Sequence, residues 1–379
     1  MAVGEPIGAD HVSTRFTPLP VIERVDRSAL ATMWPEWDDV VADATSPMPF
    51  LSSAWIEPWL ATLGADADLE VITARDPVDG RLLGVAPFFV ETRRRAGISH
   101  RALRLLGSGP LAPDHLDLVA RHDHEARIGP ALWRALGERR RWDVIDLDGV
   151  IADGVLAGLV LRRRHDRPAR MPCPYLPIEG GWETVSARFG NGILKNLGRY
   201  GRKLDREAGA PVVERMVATE ADLDPTLDAL FALHQRIRVE AGDRGAFADP
   251  EVRSFHRLAA RRLLAAGRLR LHRLDVGSDI IAAIHCFRYG DRVSFYSTGY
   301  DPAWRRYGPG RRIMAAAIRS AVDEGATEFD FLRGDEAYKR SWGTRTRFDL
   351  RLWRPSSPLG RVMWLDQAGR RIARRLIRR

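Results

Sequence analysis

Cysteine is nearly absent from this chain. Cys173 and Cys286 are the two in 379 residues, too few for a disulfide framework or a cysteine-ligated zinc site, so both read as buried thiols and no metal is expected. No stretch approaches the roughly 18 consecutive apolar residues of a membrane span. Residues 1–18 lack the positively charged start and continuous apolar core of a secretory signal; the expected location is the cytoplasm. Gly308-Pro309-Gly310 has no third glycine three residues on, as a dinucleotide fingerprint needs, and no Lys-Ser/Thr pair follows to make a P-loop. A nucleophile with a matched base is also missing, which favours direct attack by the acceptor over a covalent acyl-enzyme. His285 and Cys286 lie on an apolar stretch and read as core.

What is present is globular: 45% hydrophobic and 29% charged residues, in a length comfortable for two domains. The net charge is +9, and residues 361–379 carry seven arginines against one aspartate, so most of the excess belongs to the tail. There Ile372, Ala373, Leu376 and Ile377 face one way and arginine pairs at 370/371, 374/375 and 378/379 the other. That is a basic amphipathic helix, packed on its own domain or touching an anionic membrane or RNA.

The chain repeats an order of elements. Residues 49–63 read as an aromatic helix around Pro58, followed by paired strands at 69–74 and 82–90 across an Asp-Pro-Val-Asp-Gly turn. About 200 residues later come a helix at 250–266, with Phe255, Leu258, Ala259 and Leu263 on one face, and strands at 269–274 and 280–287. This suggests a tandem duplication. Residues 162–177, rich in arginine and proline, mark a boundary or an exposed connection. Next, 184–207 reads as one helix with Lys195, Arg199, Arg202, Lys203 and Arg206 along a side; such a stripe is a solvated face or a clamp for a phosphorylated or carboxylated substrate.

The stretch from 300 to 338 organises the rest. A strand at 293–296 runs to the Gly308-Pro309-Gly310 turn, after which Met314, Ala317, Ile318, Ala321 and Val322 repeat with helical period. The first N–H groups of such a helix are unpaired and its dipole favours negative charge. Arg305, Arg306, Arg311 and Arg312 crowd the same turn, as a bound polyanion would require.

Arg305-x-x-Gly308-x-Gly310 resembles the pyrophosphate loop of the GNAT acyltransferases. From about residue 50 to 353 the chain resembles the GNAT-related proteins with a BioF2-like or CelD-like acetyltransferase domain, close to the FemABX aminoacyltransferases. The residues that carry this are Pro49-Phe50-Leu51-Ser52 with Trp55, Gly192-Ile193-Leu194-Lys195-Asn196-Leu197, Tyr300-Asp301-Pro302, and Phe329-Asp330-Phe331-Leu332-Arg333-Gly334-Asp335 followed by Tyr338, Lys339 and Trp342. The resemblance implies a mixed α/β fold of two tandem GNAT-like domains, each a mixed central sheet flanked by helices. Residues 20–175 would be a degenerate, structural or substrate-side domain, 176–356 the domain with the acyl-donor site, and 357–379 the basic helix.

The donor implied is acetyl or another acyl coenzyme A, held by Arg305, Tyr307, Gly308, Gly310, Arg311 and Arg312. Acyl transfer to an amine needs a proton acceptor, a polarised carbonyl and a proton for the departing thiolate. Asp335 is the preferred base and Glu336 the next, both just beyond an apolar strand; Tyr338 and Tyr300 are candidate proton donors, and the backbone of 297–300 could polarise the carbonyl. Lys195, Arg199, Lys339 and Trp342 are the substrate-side candidates. The expected reaction is N-acylation of a small-molecule amine or cell-envelope precursor. The rival enzyme reading is aminoacyl-tRNA-dependent amide formation, and the rival from another class is a non-catalytic GNAT-fold binding module.

Overall fold

The computed structural model describes residues 18–95, 97–161, 168–190 and 192–364. Thirteen strands among them form one continuous sheet: β1 (Val21–Val25), β2 (Asp68–Arg75), β3 (Leu82–Arg95), β4 (Ile98–Leu105), β5 (Val119–Ala120), β6 (Val144–Ile151), β7 (Ala169–Pro177), β8 (Val212–Met216), β9 (Leu269–Val276), β10 (Asp279–Tyr289), β11 (Arg292–Tyr300), β12 (Glu328–Asp330) and β13 (Arg345–Pro355). Their order is β1-β2-β3-β4-β6-β13-β7-β12-β11-β10-β9-β8, with β5 paired to β3. Six helices matter here: α1 (Ser53–Ala61), α2 (Glu125–Glu138), α3 (Ile193–Glu207), α4 (Glu220–Glu240), α5 (Pro250–Ala265) and α6 (Pro309–Asp323).

The repeat expected from the sequence is present in space. Strands β1 to β4 form an antiparallel run and β4 then pairs in parallel with β6; β8 to β11 form a second run and β11 pairs in parallel with β12. Polar turns between apolar strands at 76–80 and 277–278 make β2-β3 and β9-β10 antiparallel partners. The two sheets are not separate, however. β7 follows the first half in sequence but pairs with β12 of the second, while β13, near the chain's end, pairs with β6 of the first. The two exchanged strands also pair with each other, from Arg345–Tyr175 to Arg351–Ala169, and this seam makes the sheet continuous.

Side-chain packing joins the halves as well. α1 and α5, equivalent members of the repeat, lie against each other, with the fully buried Trp55 edge-on to Phe255 at 4.7 Å between ring centres and to Tyr296 at 5.5 Å. One buried apolar cluster runs from the first half through this knot onto the α4 and α5 side of the second sheet; the other lies under α6.

Two helix expectations need correction. The stretch 184–207 is two helices, Trp182–Ser186 and α3: the first ends at Ser186, and α3 starts afresh after Gly192, whose left-handed conformation (φ 88°) lies outside the helical region. Leu258 is 37% exposed and lies off the buried face of α5, which is formed by Val252, Phe255, Ala259 and Leu263. The basic helix expected at 357–379 lies largely outside the described residues. No helix among the described residues is long and apolar enough to cross a membrane.

Candidate active site

In the second half β11 and β12 pair for three residues, Arg292–Ser294 with Glu328–Asp330, and then separate. β11 continues to Tyr300 with an antiparallel partner on one side and an open edge on the other. Tyr296 is an extra residue in that pairing, a bulge between the His285–Ser297 and Cys286–Phe295 pairs. The open wedge leads into a cavity of about 900 Å³, large enough for a cofactor-sized molecule.

The first half has the same wedge, but its own chain fills it. β4 and β6 pair at Ala102–Val144 and Leu103–Ile145, and farther along Leu116 bridges β6: its N–H donates to the Gly149 carbonyl at 2.7 Å and its carbonyl accepts from Ile151 at 3.1 Å. One cleft is closed and its counterpart open.

The six residues expected to hold the donor all line the open cavity. Gly308 caps α6 with φ 64° and ψ 43°, and no side chain caps the helix nor does an acid stand in its first turn. A side chain at Gly308 would find space, with Tyr200 the nearest atom at 3.9 Å, so the glycine is demanded by its left-handed backbone rather than by crowding. Gly310 is different. A Cβ there would come within 2.9 Å of the Tyr300 ring, so this glycine lets Tyr300 lie against the helix start.

Several of the arginines are neutralised in place. Arg305 pairs with Glu240, and Arg312 with Asp205 at 2.9 Å and Glu214 at 2.6 Å. The Tyr307 hydroxyl donates to Glu207 at 2.7 Å. Arg311 is exposed and, among the described residues, has no carboxylate within 4 Å; it is the cation most available to an anion at the α6 N-terminus.

The catalytic candidates divide. Asp335 points away from the cavity: its side chain is 67% exposed and ion-paired with Arg340. Gly334, at φ 119°, turns the chain there, and the preference for Asp335 over Glu336 is not supported by this placement. Glu336 lines the cavity, with Lys339 Nζ at 3.0 Å. Tyr338 and Tyr300 line it too. Desolvation, with the Glu336 charge second, holds the Tyr338 phenol above its ordinary range even though its outer edge is exposed.

Among the substrate candidates, Lys195 and Arg199 are on the outside of α3 and do not line the cavity; the inner face of that helix presents Asn196, Leu197, Tyr200 and Gly201 instead. Lys339 and Trp342 do line it, but both are buried, Lys339 committed to the Arg333 carbonyl and Glu336, and Trp342 edge-on to Phe189 at 5.0 Å.

A buried ionic network beneath the cavity was not singled out as functional in the sequence. His115 Nδ1 lies 2.9 Å from Asp349 and its Nε2 2.9 Å from Asp330; Arg347 stands 3.3 Å from Asp330. Burial would push the imidazole down, but Asp330 and Asp349 outweigh it and raise His115 to about 10. Asp330, against its own burial, is held at about 2 by His115 and then Arg347. Beside it Asp114 accepts from the Arg333 backbone at 2.8 Å and the Arg333 guanidinium, which also reaches Asp148 and the Pro113 carbonyl. Burial raises Asp114 to about 6.

This network ties residues 112–115 of the first half to 330–333 of the second. Both strained, cavity-lining backbones at the junction, Ala112 (φ 44°) and Leu332 (φ 54°), are pinned by it. His115, Cys173 and Asp349 also bring ligand-type atoms within 4.8 Å of one another; both His115 nitrogens face carboxylates, and burial pushes the Cys173 thiol far up. The sequence signals were Asp114 and His115 inside a mostly apolar run, and Asp330 and Arg333 within the motif that carries the resemblance.

Residues 192–340 match the sequence profile of the acetyltransferase (GNAT) domain family. No curated protein sequence matches the chain. In fold it is similar to FemX (11% identity, TM-score 0.60, covering 88% of this chain and 97% of that one) and to a conserved protein of unknown function from Bacteroides thetaiotaomicron (11%, 0.54, 89% and 100%). It is similar also to the C-terminal domain of a protein assigned as a lysylphosphatidylglycerol synthetase, from Agrobacterium fabrum (11%, 0.52, 89% and 96%). The matched segment holds the glycine turn, the separating strands and most of the cavity lining, to which residues 110–112 and 114 of the first half add. That segment is similar to the GNAT acetyltransferase domain family, and the fold of the chain is similar to that of FemX.

Proposed function

We propose that the chain transfers an acyl group, the acetyl group foremost, from a coenzyme A thioester to the amine of a small molecule or cell-envelope precursor by direct attack. The observation that carries this reading is the open wedge between β11 and β12, which meets the uncapped start of α6 in one cavity. A pyrophosphate at Gly308–Arg311 would take the helix N–H groups and Arg311, and the pantetheine arm would run along the open edge of β11. Backbone N–H groups after the Tyr296 bulge would then polarise the thioester carbonyl. The attacking amine gives its proton to Glu336, directly or through water; the C–N bond forms, the C–S bond breaks, and the thiolate takes a proton from Tyr300 or Tyr338. Because coenzyme A thioesters are cytoplasmic currency, this reading places the reaction in the cytoplasm.

The donor is tested by calorimetric titration with coenzyme A. Gly308→Val forces a β-branched side chain into a left-handed backbone, a strain of roughly 1–3 kcal/mol, at the point where the donor phosphates would sit. Binding should weaken at least tenfold with the fold retained by circular dichroism, and unchanged affinity would remove the assignment. Offered acetyl coenzyme A and charged tRNA with a panel of amines, the protein should use the thioester; transfer from charged tRNA alone would replace this reading with the aminoacyl one.

A further inference from the structure

We propose that the outer face of α3 is a docking surface for an anionic membrane. Lys195, Arg199, Arg202 and Arg206 recur at steps of 4, 3 and 4, so at 3.6 residues per turn they share about 60° of arc and form a row about 16 Å long. All four are exposed. Opposite them on the helix lie the buried Ile193 and Leu204 with the cavity-lining Leu197 and Tyr200, so the row looks directly away from the protein.

The charges of α3 are sorted by side. Its two acids turn towards the donor loop: Asp205 pairs with Arg312, and Glu207 with Tyr307, Arg306 and Lys203. None of the four cations has a carboxylate within 4 Å among the described residues, whereas three of the four arginines of the loop beneath, Arg305, Arg306 and Arg312, are paired. Arg199 marks the cavity-side edge of the row, its guanidinium donating to the Tyr200 hydroxyl at 2.8 Å and to Asn196 at 3.2 Å, while Lys195, Arg202 and Arg206 face outward. The outer face thus carries cations without a carboxylate within 4 Å, while the acids of the helix lie to its sides.

A straight row on a convex helix suits a plane of negative headgroups. Single-stranded nucleic acid is gripped instead in a basic groove interleaved with aromatic rings, and the one aromatic of α3, Tyr200, is turned inward. Docking here would bring the cavity mouth to the membrane surface, since the same helix forms its rim.

The test is co-sedimentation of the full chain with vesicles of phosphatidylglycerol and phosphatidylcholine, against phosphatidylcholine alone. Each basic residue near such a surface multiplies partitioning by roughly fivefold, so the quadruple variant K195Q/R199Q/R202Q/R206Q should bind anionic vesicles about two to three orders of magnitude more weakly, with an unchanged circular dichroism spectrum. A variant with Arg370, Arg371, Arg374 and Arg375 changed to glutamine separates the tail's contribution and should retain the greater part of the binding. The proposal is overturned if the wild type ignores anionic vesicles, if the α3 variant binds them as the wild type does, or if that variant loses affinity for a poly-uridine RNA while its vesicle binding stands.

Discussion

At the residue scale the choice between neighbouring carboxylates decides the chemistry. Glu336 lines the cavity and Asp335 faces solvent against Arg340, so Glu336→Gln should lower turnover by ~10² or more with little loss of donor affinity, and Asp335→Asn should remain near wild type. Steady-state kinetics paired with coenzyme A titration separates the two. The sequence brought both acids to the end of an apolar strand but could not orient them, because the direction depends on the backbone angle at Gly334 and on which acid finds an arginine. The turn before α6 was legible for the opposite reason: its glycines, arginines and helix lie within ten residues, and helix-terminus geometry is local. His115 illustrates what was hidden, since its partners stand more than 200 positions away in sequence.

At the element scale, that histidine and its two aspartates fasten the 112–115 segment to the end of β12. Its folded value, about 10, lies above that of a free imidazole, about 6.5. The sign follows: the ion pairs contribute fully to stability below pH 6.5, and that contribution is lost as the pH rises through 10. Denaturant unfolding from pH 6 to 10.5 should therefore show wild-type stability falling with pH. His115→Gln should be less stable at pH 6 and should show a shallower decline, so that the two curves converge; parallel curves would show that His115 is not charged in the fold. Hairpins β2-β3 and β9-β10 and helix α6 could be read from alternation and period because neighbours in sequence make them. The break at Gly192 was visible as a glycine but not as a break, since Gly198 and Gly201, equally prominent, stay within α3.

At the scale of the whole molecule, the repeat was legible and its assembly was not. β13 has the composition of an ordinary strand, β7 with Pro172, Pro174 and Pro177 reads as a connection rather than a central strand, and nothing local says that each completes the other half's sheet. Two consequences can be measured. A fragment of residues 178–379 lacks β7 and leaves β13 without either neighbour, so it should be insoluble or molten by circular dichroism rather than an independent domain. Removing residues 365–379 should leave donor binding within about twofold of the full chain. A cut after Leu359 would go further and strip away Met363, which is 3% exposed, at a cost of roughly 2–5 kcal/mol if its burial is wholly lost.

The crossed strands also bear on ancestry. Two copies of a single-cleft protein that traded their last strands would form a symmetric swapped pair, and joining them end to end yields the topology of this chain. Once fused, neither copy can be inherited or deleted alone, yet only one needs a working cleft. Leu116 lying across the other wedge is what such redundancy permits: a former ligand groove can be refilled with polypeptide, turning a second catalytic centre into the wall and fastening of the first.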